Sequence, residues 1–324
     1  MNVQQAITRF LEHGSIERNL STRTLRAYES DLAQFDTHLE GAEAVSITHD
    51  DLEQYVDKLG TGSYRDTSIR RKVAALKVFF RYLEESGIVP ESPARKLKIK
   101  HPVENKVPVV LSSREVKSLL SAPKRQIEEL VTHRHRSAGG KNRYFCAIRD
   151  NAIIELLFLT GIRIGELVAL AVGDVDLENR QIHVTGRGTR GRNVPLASDE
   201  IVSALGEYLA LREERRIEGP ALFVGRAGTR LTIYSIENIF KKQVRLAQIK
   251  RHITPHALRH TKAAMMVSSG ADIRNVQEML GHASILSTQV YRKLSIRKRR
   301  SAPGQQRSSA VSLDGAMTRL PIKK

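Results

Sequence analysis

The side chains best suited to phosphate chemistry lie in the second half of the sequence. Arg163 follows a glycine turn between two apolar segments, where an always-charged guanidinium group suggests a bound anion. An ion pair with Glu166 or Asp174 would explain Arg163 equally well. His256 and Arg259 are three residues apart after Pro255, so on a helix that begins there they share one face and could reach one phosphate. For an isolated HxxR pattern, a satisfied histidine and a surface arginine in the first turn of a helix are far more common.

His282 and Tyr291 complete a set that could cut a phosphodiester without a metal ion. Such a reaction needs a nucleophile, cationic donors for the non-bridging oxygens and an acid for the departing oxygen. His282 follows Gly281 at a predicted helix end, where it could donate to a phosphate or cap the helix. Tyr291 offers a nucleophilic oxygen, although an isolated tyrosine is more often a packing residue.

Composition indicates a polyanionic partner. The 324 residues favour two domains, and the formal net charge of +18 favours nucleic acid as the partner. The charge by itself would also suit a membrane-surface or ribosomal protein. The single cysteine, Cys146, excludes an intramolecular disulfide and is typical of a reducing cytoplasm. Apolar runs are far shorter than a membrane span requires, so we expect a cytoplasmic protein without membrane contact.

The elements that must position these residues form two predicted domains. Helical spacing in three N-terminal segments, with Ser21 as a cap, predicts an all-helical domain over residues 1–100. A linker over 101–110, a second domain over 111–296 and a basic, flexible tail over 297–324 follow. In the second domain we predict a capping box at Ser112 and Glu115 and a surface loop over 124–143. The remaining segments indicate strands over 182–185 and 193–196, and helices over 151–159, 201–211, 236–249, 258–267 and 273–280.

Two patterns that suggest a cofactor or metal are rejected. Residues 186–191 read GxGxxG, but a strand follows them where a dinucleotide site needs a helix. His133 and His135 have arginines between them and no acidic or cysteine partner nearby, so a basic loop is favoured over a metal site. We therefore predict no cofactor and no metal.

The order of these motifs resembles the tyrosine recombinase (phage integrase) family, in its Xer-like branch. The matching stretches are TGIRIGEL over residues 160–167, HALRH over 256–260, and LGHAS over 280–284 with Tyr291 nine positions after His282. The N-terminal half resembles the family's helical core-binding domain in LSTRTLRAY over 20–28 and FFRYL over 79–83. The resemblance implies a mainly α fold with a small β-sheet, in which a SAM-like helical domain precedes an α+β catalytic domain.

The resemblance also implies a site-specific DNA recombinase. Tyr291 would form a 3′-phosphotyrosyl link while Arg163 and Arg259 hold the phosphate oxygens. His256 would accept a proton or bind the phosphate, and His282 would add a hydrogen bond. Since the covalent link retains the energy of the broken bond, neither ATP nor another cofactor is needed. The predicted site residues are Arg163, Arg187, His256, Arg259, His282 and Tyr291.

Arg187 departs from the family pattern. The family places a lysine on the β-hairpin as the acid for the leaving 5′-oxygen, and an arginine gives up its proton poorly. Arg187 could stabilise the leaving oxygen electrostatically, a lysine such as Lys141 could reach in from elsewhere, or the enzyme could be slow.

The expected partner is double-stranded DNA with paired inverted sites, bound by a homo-tetramer or by a tetramer shared with a second recombinase. We expect residues 294–296 to dock on a neighbouring protomer and the basic remainder of the tail to contact DNA. The basic segment around Arg70, Arg71, Lys72, Lys77 and Arg81 would also contact DNA. Two alternatives remain: a type IB topoisomerase-like nicking enzyme, and a DNA-binding regulator in which Arg187 marks decay of the active site.

Overall fold

The chain divides into two compact units, Met1–Asn105 and Lys106–Lys324. The computed structural model describes residues 1–18, 20–98, 108–131, 138–185 and 191–281. The predictions for Arg187, His282, Tyr291, most of the linker and the tail therefore lie outside the described residues. Within those ranges, no helix is both long and apolar enough to cross a bilayer.

The first unit is helical, as its sequence predicts. Ser21 caps α2 by accepting a hydrogen bond from the Thr24 backbone N–H at 3.2 Å. The core is aromatic, with Phe35, Phe79 and Phe80 fully buried. Its helices are α1 (Val3–Ile16), α2 (Thr22–Leu39), α3 (His49–Thr61) and α4 (Asp66–Glu85).

The basic segment of α4 is not one continuous DNA-facing surface. Lys72 is only 2% exposed, and its ammonium group donates to Asp31 at 2.9 Å and to Gln34 at 2.7 Å. Arg71 donates to the same carboxylate at 2.5 Å. Because a buried charge needs such partners, Lys72 holds α4 against α2, and the expectation that it contacts DNA is wrong.

The second unit surrounds the central helix α6. Its apolar residues, among them Phe145, Ile148 and Leu156, are buried in the core. Ser112 and Glu115 form the predicted capping box, in which the Ser112 backbone N–H donates to Glu115 at 2.7 Å. The helices are α5 (Ser113–Val131), α6 (Ala138–Thr160), α7 (Ile164–Ala169), α8 (Asp199–Glu214), α9 (Ile233–Leu246), α10 (Pro255–Ser268) and α11 (Ile273–Leu280).

The predicted loop over 124–143 is wrong for most of its length. Helix α5 continues to Val131 and α6 already begins at Ala138. Ile127 and Leu130 pack against the core from α5, and Pro123 is buried inside that helix. Tertiary packing thus overrides the local preference of proline, glycine and charged residues for a loop.

Three short strands form one antiparallel sheet in the order β1 (Val175–Asp176), β2 (Gln181–Val184) and β3 (Arg192–Pro195). The register pairs Ile182 with Val194 and Val184 with Arg192. Residues 186–191 therefore join two antiparallel strands, which confirms the hairpin prediction over a dinucleotide fold. A mainly helical protein with a small sheet, the expected fold class, is confirmed.

Candidate active site

Arg163 lies in the turn between α6 and α7. Gly161 adopts a left-handed conformation with φ of +63° directly after α6. Arg163 then caps α7: its backbone N–H donates to Glu166 at 2.8 Å and its Nη1 donates to the same carboxylate at 2.9 Å. The structural ion pair with Glu166 thus exists, yet the Arg163 side chain remains 40% exposed and can still meet a ligand.

Glu166 is held by a second arginine that the sequence reading missed. Arg192, on β3, donates from Nη1 and Nη2 to the two oxygens of Glu166, each at 3.0 Å. Burial would raise the Glu166 pKa, but hydrogen bonds and charge from Arg192 and Arg163 lower it overall. Glu166 is therefore a carboxylate that orients two guanidinium groups.

Helix α10 presents the predicted histidine and arginine together. Pro255 occupies its first turn, and His256 and Arg259 follow on neighbouring positions of one face. Arg259 is 4% exposed and its Nη1 donates to the Gly161 carbonyl at 2.6 Å. Its Nη2 donates to the Leu280 carbonyl. Arg259 therefore joins α10 to the Arg163 turn and to the end of α11.

The end of α11 is the meeting point of these residues. Gly281 ends the helix in a left-handed conformation with φ of +63°, and its carbonyl accepts from Arg163 Nη2 at 2.7 Å. The charged side chains that meet here are three guanidinium groups and one carboxylate, so positive charge is in excess. They belong to Arg163, Arg192, Arg259 and Glu166. The Gly281 carbonyl that binds Arg163 directly precedes His282 in the sequence. The sequence predicts that His282 belongs to a phosphate site.

His256 is tuned towards its neutral form. Partial burial of the ring lowers the pKa of His256, and the positive charges of Arg259 and Arg163 lower it further, against an opposing effect of Glu237. A neutral imidazole can accept a proton from a nucleophile, whereas a protonated one cannot. Its environment therefore suits the proton-acceptor role better than that of a fixed cation.

Proton NMR titration of the free protein should place the His256 pKa below the ordinary value of 6.5. Arg163→Ala removes one of the charges that lower it, so that variant should raise the His256 pKa. His260 is the internal control. Burial, His256 and Arg259 lower its pKa, and Arg163 is not among these causes. A His256 midpoint above 6.5, or one that Arg163→Ala leaves unchanged, would contradict this electrostatic account.

Lys262 is a further cation near the turn that the sequence reading missed. A Cβ atom built at Gly161 would lie 3.8 Å from Lys262 Cγ, so the lysine stem borders the turn. Burial lowers the Lys262 pKa. Lys141, by contrast, is near the start of α6, 19 residues or roughly 29 Å along the helix from Thr160. Lys262 therefore replaces Lys141 as the lysine to consider beside the site.

The structure thus brings together Arg163, His256 and Arg259. Arg187, His282 and Tyr291 lie outside the described residues, so their placement stays a prediction. Among the residues described, no group of three or more histidine, cysteine, aspartate or glutamate side chains could hold a metal ion.

Comparison with known proteins identifies the family. The model of the phage integrase family matches residues 111–297, which include every predicted site residue. The chain belongs to the phage integrase family. The family's N-terminal SAM-like domain matches residues 7–87, within the first unit.

Relatives extend over nearly the whole of this integrase-family chain. A tyrosine recombinase of Agathobacter rectalis is 34% identical over 92% of this chain and 95% of its own length. The tyrosine recombinase XerC of Roseiflexus castenholzii is 35% identical over 90% of each. The predicted enzyme class, a site-specific DNA recombinase of the tyrosine type, is confirmed.

Solved structures share the fold. XerH recombinase bound to a palindromic difH substrate, in a post-cleavage complex, aligns with a TM-score of 0.70 at 23% identity, over 87% of this chain and 80% of that chain. A lambda integrase dimer bound to a core site aligns with a TM-score of 0.66 at 17% identity, over 89% and 97%. These likenesses confirm the fold. The two family models confirm the predicted order of a SAM-like domain followed by a catalytic integrase domain.

Proposed function

We propose that this recombinase cuts and rejoins DNA through a 3′-phosphotyrosyl intermediate formed by Tyr291. The observation that carries the proposal is the convergence of Arg163 and Arg259 on the carbonyls of Gly281 and Leu280, next to His282. Guanidinium groups are suited to hold two non-bridging phosphate oxygens, because each presents several donors in a rigid plane. A DNA phosphate bound there would lie near the segment that leads to Tyr291.

The chemical step follows from these groups. The Tyr291 phenolic oxygen attacks phosphorus, the bond from phosphorus to the 5′-oxygen breaks, and a phosphotyrosine ester forms. The departing 5′-oxygen takes a proton and leaves as a hydroxyl, and Arg187 and Lys262 are the candidate donors of that proton. His256, held neutral, accepts the phenolic proton, while Arg163 and Arg259 stabilise the charge on the phosphate. A 5′-hydroxyl from the second DNA strand then attacks the ester, and the phenol leaves with its proton restored. His282 would add a hydrogen bond to the phosphate.

Arg187→Ala should slow cleavage of ordinary DNA by about a hundredfold if Arg187 assists the leaving 5′-oxygen. A 5′-thiol leaves without protonation, so DNA with a bridging sulfur at the scissile 5′ position should be cut by this variant at nearly the wild-type rate. Single-turnover cleavage on the two DNAs measures the effect. Equal losses on both substrates would count against an acid role for Arg187.

Lys262→Met is the matched comparison for that experiment. Lys262 is a lysine with its stem at the Gly161 turn and its pKa lowered by burial. If Lys262→Met, and not Arg187→Ala, is rescued by the sulfur substrate, the proton comes from Lys262.

The proposed DNA partner has two inverted half-sites bound by a tetramer of this chain, or of this chain and a second recombinase. The net charge of +18 supports a polyanionic partner. The similar XerH recombinase is solved with a palindromic substrate, which supports paired inverted sites. Base contacts then set the sequence that is recognised.

Two experiments separate this function from its alternatives. A nicked suicide substrate, which loses the 5′-hydroxyl needed for religation, should trap a covalent protein–DNA complex; a DNA-binding regulator would form none. A plasmid with two sites should yield recombinant circles, whereas a topoisomerase-like enzyme would only relax it. Wild-type protein that binds the site without a covalent complex would refute the proposal.

A further inference from the structure

Three arginines hold three consecutive carbonyl groups at the end of α11. Arg192 Nε donates to the Met279 carbonyl at 3.2 Å. Arg259 and Arg163 donate to the carbonyls of Leu280 and Gly281. The last carbonyls of a helix have no partner within it and favour cations, so these bonds stabilise the helix end. The arginines come from a strand, a helix and a turn, and therefore fix three elements relative to one another.

Arg192 differs from the other two because it also binds Glu166. Its forked contact occupies one lone-pair position on each Glu166 oxygen, at 3.0 Å. The remaining positions accept the Arg163 backbone N–H and the Arg163 Nη1. One carboxylate thus links Arg192 directly to Arg163.

The contacts of Arg192 pair its charge within the protein. Its Nη1 and Nη2 donate to the Glu166 carboxylate, and its Nε donates to the Met279 carbonyl. Its guanidinium group lies against the Gly281 turn, where an added Cβ atom would be 3.0 Å from Arg192 Cζ. Glycine at this position leaves room for the arginine.

We propose that Arg192 is a positioning residue for strand cleavage. It fixes Arg163 through Glu166, and it fixes the last turn of α11, which precedes His282 in the sequence, through the Met279 carbonyl. The proposal rests on the proposed function of Arg163 as a phosphate ligand. A lysine cannot substitute, because its ammonium group lacks the fork that binds both oxygens of Glu166 while a third N–H reaches Met279.

The test compares ordinary DNA with DNA that carries a methylphosphonate at the scissile position. The methylphosphonate lacks the negative charge that Arg163 would neutralise, so cleavage of it depends less on Arg163. Arg192→Met should slow cleavage of the phosphodiester by about a hundredfold, since a small misplacement of a catalytic group has an effect of this size. On methylphosphonate DNA, the cleavage rate of Arg192→Met should be much closer to the wild-type rate. The same is expected for Arg163→Ala. Arg192→Lys should slow cleavage of the phosphodiester more than cleavage of the methylphosphonate, in the same ratio as Arg192→Met.

Arg180→Met is the matched control. Arg180 also extends from this sheet region, and it forms an ion pair with Asp199 at 2.6 Å and a bond to the Leu196 carbonyl, with neither Glu166 nor Arg163 among these partners. The Arg180→Met variant should cut the phosphodiester and the methylphosphonate at rates close to those of wild type. If Arg192→Met loses its thermal unfolding transition, the substrate ratio is read from Arg192→Lys.

The outcomes distinguish this inference from the proposed function. Wild-type protein that cuts neither DNA would overturn the proposed function and the positioning role with it. Wild-type protein that cuts both, with Arg192 variants that slow the two cleavages equally or not at all, would overturn the positioning role alone.

Discussion

Arg259→Ala is expected to slow formation of the covalent complex by about a thousandfold or more, the loss expected when a preorganised donor to a reacting oxyanion is removed. Arg259 is nearly fully buried, and its two η nitrogens also hold the Gly161 and Leu280 carbonyls. The variant would therefore lose the proposed phosphate ligand and loosen the turn that presents Arg163. Single-turnover cleavage of a suicide substrate at saturating protein measures this effect. Arg259→Lys should recover little, because a point charge cannot replace two directed donors.

Arg212→Ala provides the control for the structural part of that loss. Arg212 is likewise buried and donates to two carbonyls, those of Gly219 at 2.5 Å and Ala221 at 3.2 Å. It lies on α8 and makes no described contact with the site. Arg212→Ala should lower stability yet keep cleavage within a few-fold of wild type. If the two alanine variants cut DNA equally well, Arg259 is a structural residue only.

Gly161→Ala is expected to destabilise the catalytic unit by about 2 to 4 kcal/mol, as the combined cost of a left-handed alanine and of overpacking. Gly161 has φ of +63°, and a Cβ atom there would be 2.8 Å from Leu280 Cδ2. The strain falls on the turn after α6 and on the end of α11, which Arg259 holds together through the Gly161 and Leu280 carbonyls. Cleavage should therefore decrease as well. Urea denaturation followed by circular dichroism measures the free energy of unfolding.

Gly165→Ala is the matched control, four residues along the chain. No atom lies within 4 Å of a Cβ built at Gly165, and its φ is not positive. Because alanine has the higher helix propensity, this variant should be as stable as wild type or more stable. Equal stability of the two glycine variants would show that the Gly161 turn is not strained by a side chain.

The sequence predicted most of the helical framework because its local patterns agree with the tertiary structure. Residues 273–280 form α11 as expected, and Ser21 and the pair Ser112 and Glu115 cap their helices. The prediction failed over 124–143, where charged residues, Pro123 and two glycines favour a loop in isolation. Burial of Ile127 and Leu130 against α6 and its neighbours decides that segment, and such long-range packing is invisible in a local pattern.

The site was predictable only in part. Spacing and order singled out Arg163, His256 and Arg259, and the structure brings these three together. Arg192 was missed because it is one arginine in a basic hairpin, and its partner Glu166 lies 26 residues earlier. The spacing of Arg163 and Glu166 predicts a structural ion pair as one explanation of the arginine, and that ion pair exists. A carboxylate three residues after an arginine does not reveal that a second arginine shares it.

Identification of the residue attached to DNA tests the central claim most directly. The complex trapped on a nicked suicide substrate is digested with trypsin, and mass spectrometry locates the nucleotide adduct. Since Arg274 and Arg292 flank a stretch without lysine or arginine, the adduct should lie on peptide 275–292 at Tyr291. Tyr291→Phe should form no covalent complex. An adduct on another residue, such as the exposed Tyr234, or a complex that persists in Tyr291→Phe, would contradict the account.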